Sequence, residues 1–60
     1  MLHNTIIELW HISRTALATQ DSGRHSRMIY VKNELLRTYP KFVEGMTNKQ
    51  IWFTIEDSIN

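Results

Sequence analysis

Apolar residues recur at helical spacing in the first third of the chain. At about 100° per residue they fall on one broad side of a helix. These residues are Leu2, Ile6, Leu9, Trp10, Ala16 and Leu17. Thr5 followed by Glu8 matches a capping box, in which side chains satisfy the free N–H groups of a helix start. The pattern predicts a first helix over residues 4–19, with the Ser13 hydroxyl bonded to the preceding turn.

A second apolar stripe occupies the middle of the chain. It follows a turn cluster at residues 20–23, where Asp21 and Ser22 favour helix caps and Gly23 tolerates unusual backbone angles. The stripe consists of Met28, Val31, Leu35 and Tyr39, and is widened by Ile29 and Leu36. Pro40 disfavours helical geometry at the residue before it. We therefore predict a second helix over residues 23–39, followed by a connection.

The segment "MTNKQI" carries a specific signal for a third helix start. Thr47 as N-cap and Gln50 three residues later complete a capping box, and Met46 and Ile51 on either side form a hydrophobic staple. Apolar residues then continue at spacings of four, which predicts a helix over residues 48–58. The alternative is a strand, because residues 50–55 contain several side chains of high β-propensity.

Three amphipathic helices with short connections predict a small all-α three-helix bundle in a single domain, residues 1–60. A chain of 60 residues buries only about 60% of the surface that its unfolded form exposes, so its core is marginal. Apolar residues nevertheless make up 42% of the sequence. Because a partner subunit commonly reinforces so small a fold, we expect a homodimer.

The composition excludes several classes of protein. Without cysteine there are no disulfides, and most zinc sites are excluded as well, so we expect no metal and no cofactor. The N-terminal segment lacks the basic region of a signal peptide, and no apolar run is long enough to span a membrane. We therefore predict a cytoplasmic protein without a membrane partner.

The net charge is only +1, but residues 14–41 carry +4 while the segments on either side are acidic. The outer side of the second helix and its approaches hold a candidate nucleic-acid site made of Arg24, His25, Arg27, Tyr30, Arg37 and Lys41. Arginine forks suit phosphate oxygens, and a tyrosine ring offers a stacking surface for a base. The alternative is a solvated face in which Glu34 contacts Arg27 and Arg37. A pI near 8.2 favours this alternative, because nucleic-acid-binding domains are usually more basic.

Two apolar residues lie away from the stripes of their helices. Phe53 falls roughly 160° from Ile55, and Ile12 is also off the stripe of the first helix. Aromatic residues and methionine are enriched in the cores of protein interfaces. The predicted protein-interaction residues are Trp10, Ile12, Met46, Trp52 and Phe53.

Catalysis has little support in the sequence. No histidine pair has the i, i+4 spacing of a helical metal site, and no serine stands in a nucleophile-elbow motif. A core this small also leaves no room for a dry substrate pocket. We expect a non-catalytic regulatory module that self-associates and binds another macromolecule, without a small-molecule substrate. The alternatives are a nucleic-acid-binding protein and a structural component of a larger assembly.

Overall fold

The computed structural model describes residues 2–17 and 23–60, and this part of the chain is helical without strands. The helices are α1 (His3–Ala16), α2 (Arg24–Thr38), α3 (Pro40–Val43) and α4 (Asn48–Ile59). The all-α prediction is confirmed, and the strand alternative for residues 50–55 is wrong. The three long helices match the three predicted ones, and α3 is a short fourth helix where only a connection was predicted.

The predicted capping box at the start of α1 is wrong. Leu2 is the N-cap and makes no side-chain cap bond, and its carbonyl already accepts from the Ile6 N–H at 2.8 Å. Thr5 and Glu8 therefore lie inside the helix. Leu2 packs against the core, which holds the helix start in place without a polar cap. At the other end α1 stops at Ala16, and the predicted residues 18–19 and turn residues 20–22 lie outside the described residues.

Pro40 ends α2 as predicted and also begins α3. It moves Tyr39 out of helical geometry, to φ −132° and ψ 56°, so α2 stops at Thr38. Pro40 then occupies the first turn of α3. Backbone N–H groups in the first turn have no acceptor within the helix, so the N–H that proline lacks is not missed there. The buried Val43 fastens α3 to the core.

The capping box of α4 is confirmed. Thr47 Oγ1 accepts from the Gln50 N–H at 3.1 Å, and Gln50 Oε1 accepts from the Thr47 N–H at 2.8 Å. Gly45 precedes the cap at φ +82°, a backbone conformation that favours glycine. Met46 packs against the core cluster that contains Ile51, as a hydrophobic staple requires.

The core lies between α1, α2 and α4, with α3 packed on α2. Its buried side chains are Ile6, Met28, Val31, Leu35, Val43, Ile51 and Ile55. Ala16, Ile29, Leu36 and Tyr39 were expected on apolar stripes but are exposed. Among the described residues, neighbouring helices cover one side of α2, and the margin of its wide apolar arc stays in solvent. No helix in the described ranges is both long and apolar enough to cross a bilayer.

Candidate protein-interaction surface

Arg27 of α2 is bonded to the backbone and side chains of α1. Its Nε donates to Ser13 Oγ at 2.8 Å, and its Nη2 donates to the Trp10 carbonyl at 2.6 Å. The guanidinium carbon lies 3.9 Å from the centroid of the Trp10 ring, within cation–π range. Arg27 therefore joins α1 to α2.

Ser13 makes this contact possible. It is fully buried, and its small side chain leaves room for Arg27 to reach α1. The hydroxyl donates to the Trp10 carbonyl at 2.5 Å, as predicted, and so presents its lone pairs to the guanidinium. Burial lowers the pKa of Arg27, and nearby Arg14 lowers it further. Since an arginine keeps its proton in proteins, the site holds a cation whose hydrogen bonds to the described residues go to neutral acceptors.

The other two arginines of the predicted nucleic-acid site are also engaged within the chain. Arg24 Nη2 lies 3.6 Å from Glu56 Oε2 and donates to Asn60 Oδ1 at 3.3 Å. Arg37 Nη2 donates to Glu34 Oε1 at 2.7 Å, and this bond raises the pKa of Arg37. The predicted Glu34–Arg37 contact is thus present. The predicted contact between Glu34 and Arg27 is wrong, because Arg27 turns towards α1.

The remaining residues of that predicted site are scattered. The His25 ring lies 5.4 Å from the Trp52 ring at a tilt of 46°, which joins α2 to α4. Tyr30 is half-buried and packs against the core. Lys41 is exposed on α3 and forms no ion pair within the described segments. The structure does not bring the six residues together as one open cationic face.

The five predicted protein-interaction residues divide into two groups. Trp10, Met46 and Trp52 are half-buried and pack against the core. Ile12 on α1 and Phe53 on α4 are exposed, as their off-stripe positions predicted, and Lys49 Nζ lies 5.8 Å from the Phe53 ring centroid. Ile12 lies roughly 160° around α1 from Trp10, so these two residues do not face one partner surface.

A further exposed apolar surface on α2 was not recognised in the sequence. We define the outer seam as the following residues, at spacings of four, three, four and three: His25, Ile29, Lys32, Leu36 and Tyr39. This is the spacing of a helix face that contacts another helix. The seam is offset by one residue from the buried positions Met28, Val31 and Leu35. This one-residue offset in the sequence is the feature that could have distinguished the outer seam from the core stripe.

An open cleft of about 320 Å³ lies between α1, α3 and α4. The two hydroxyls at its edge already donate hydrogen bonds within α4. Thr54 Oγ1 donates to the Gln50 carbonyl, and Ser58 Oγ donates to the Thr54 carbonyl. No cluster of metal-ligating side chains occurs in the described part of the chain. The cleft is lined by Leu2, His3, Ile6, Phe42, Thr54, Asp57 and Ser58.

No protein-family model, curated protein or solved structure matches the chain in sequence or fold comparisons. The geometry of the exposed side chains is therefore the basis for considering its function.

Proposed function

We propose that the chain is a non-catalytic regulatory module of the cytoplasm that binds a protein partner through apolar side chains exposed on its helices. The observation that carries the proposal is a set of large apolar side chains that are 37% to 51% exposed. They are Ile12, Ile29, Leu36, Tyr39 and Phe53.

The arrangement of these side chains supports binding better than their number does. Single exposed apolar residues are ordinary on soluble domains. Ile29, Leu36 and Tyr39, however, follow one another at spacings of seven and three on the outer seam. Helix-in-groove recognition uses anchors at such spacings. This regular row of exposed apolar side chains therefore favours a protein partner over a surface that only faces solvent.

Site-specific crosslinking in the native host tests the proposal. A photoreactive amino acid replaces Leu36 or Phe53 in separate variants, and Glu8, which is exposed on α1, serves as the matched control position. We expect a defined protein adduct from position 36 or 53 and none from position 8. Sedimentation of the purified chain at tens of micromolar shows whether that adduct is a second copy. A strict monomer without an adduct at either apolar position would contradict the proposal.

The nucleic-acid alternative has weaker support, because Arg24, Arg27 and Arg37 are bonded within the chain. Titration of short duplex and single-stranded oligonucleotides at two salt concentrations tests it. Counterion release makes such binding fall steeply with salt. Micromolar, salt-sensitive binding that Lys41→Gln weakens would favour this alternative over a protein partner.

A further inference from the structure

We propose that the outer seam of α2 docks one amphipathic helix of an acidic partner protein, with a carboxylate of that helix facing Lys32. This inference rests on the proposed function and names the kind of partner that the seam would select. The occupant is a different protein rather than a second copy of this chain.

The seam has the form of a helix-binding face. From His25 to Leu36 it extends about 17 Å along α2, the length of roughly three helical turns. Tyr39 follows at the C-cap, just beyond the last helical residue. Ile29 and Leu36 stand seven residues apart and are both exposed, as knobs at equivalent heptad positions would be. His25 rests on Trp52 of α4, so the seam begins where two packed helices already meet.

Lys32 lies between these apolar residues. It is half-buried and forms no ion pair with any residue that the structure describes. Glu34 is the only acidic residue of α2, and its carboxylate already accepts from Arg37. A single lysine at such a position selects the partner helix and its register. The seam therefore has an unmet preference for a carboxylate at its centre.

The same lysine disfavours pairing of two copies through this seam. An antiparallel pair that matches Ile29 with Leu36 brings the two Lys32 side chains close together. A parallel pair places Lys32 directly opposite Lys32. Either arrangement holds two ammonium groups near each other in apolar surroundings, where like charges repel strongly. A helix with Glu or Asp at the matching position replaces this repulsion by attraction.

Two designed helical peptides test the inference. Each has on the order of 21 residues and the same leucine seam, and they differ only in a central Glu or Lys. Affinity is measured by fluorescence anisotropy at about 50 mM and about 300 mM salt. We expect the Glu peptide to bind about tenfold more tightly than the Lys peptide at low salt, with a smaller ratio at high salt. Lys32→Glu should invert the preference.

Matched variants locate the binding surface. Leu36→Ser should weaken binding of the Glu peptide by about tenfold, whereas Ala16→Ser, at an exposed position on α1 outside the proposed binding residues, should leave it unchanged. Circular dichroism establishes that each variant is folded. Equal affinities for the two peptides, an unchanged preference in Lys32→Glu, or no binding of either peptide would overturn the inference.

The proposed function can survive that failure, and the two results are distinguishable. If neither peptide binds but the chain forms a dimer that Leu36→Ser dissociates, the acidic-helix inference is wrong and a protein-interaction module remains. If neither peptide binds, the chain is monomeric and positions 36 and 53 give no crosslink, both proposals are wrong.

Discussion

The two faces of α2 contain the same kinds of residue in opposite environments. Leu35 is 0% exposed and belongs to the core, whereas the adjacent Leu36 is 45% exposed. Arg27 is bonded to α1, whereas Arg37 stays on the surface and pairs with Glu34 one turn away. The neighbouring helices, rather than residue type, therefore decide which side chains stabilise the fold and which remain available to a partner.

The largest expected effect separates the two leucines. Leu35→Ala leaves a cavity in the core, where Leu35 is fully buried, so we expect the free energy of unfolding to fall by about 2–5 kcal/mol. Leu36→Ala should cost less than about 1 kcal/mol, because much of its side chain is already in water. Urea denaturation followed by circular dichroism measures both. Similar losses for the two variants would contradict the assignment of inner and outer faces.

The two arginines give the next largest contrast. Arg27→Ala removes two charge-assisted hydrogen bonds and the contact with Trp10, for an expected loss of about 2 kcal/mol. In a domain of this size that lowers the Tm by roughly 10 °C. Arg37→Ala serves as the surface control and should leave the Tm close to that of the unchanged chain, since exposed ion pairs stabilise little. The Tm of Arg27→Lys should lie between those of Arg27→Ala and the unchanged chain. Lysine keeps the positive charge, but its ammonium lacks the planar fork of a guanidinium.

Ser13 provides a third comparison, from the α1 side of the same contact. Ser13→Ala removes the hydroxyl that accepts from Arg27 Nε, so we expect a loss of about 1 kcal/mol. The effect should be smaller when Arg27 has already been replaced by Ala. A double-mutant cycle from thermal unfolding measures this coupling, and strictly additive losses would show that the two side chains act independently.

The smallest expected effect concerns α4, whose position covers the inner side of α2. Thr47→Ala removes the side-chain cap from the Gln50 N–H and, because this cap is exposed to water, should cost about 0.5 kcal/mol. Thr5→Ala is the control, because Thr5 lies inside α1 and caps nothing. Its thermal unfolding should be nearly unchanged. If Thr5→Ala lowered stability more than Thr47→Ala, the capping box that the sequence suggested for α1 would be supported after all.

The exposed positions could be predicted where a residue lies clearly off its helix stripe. Phe53 and Ile12 met that condition, and both are exposed. Ile29 and Leu36 lie at the margin of a wide stripe, where exposure depends on how far the neighbouring helices extend around α2. The role of Arg27 was not predictable from its own helix, because its bonding partners lie 14 and 17 residues away in α1.

The helical class, the end of α2 before Pro40 and the capped start of α4 could all be predicted from the order of residues along the chain. These features depend on interactions within one or two helical turns, so nearby residues suffice to specify them. Two further features became visible only in the folded chain: Ser13 and Arg27 join two helices, and the described helices leave the outer seam of α2 exposed. Both depend on where α1 and α4 lie against α2, and that arrangement results from packing between residues distant in the chain.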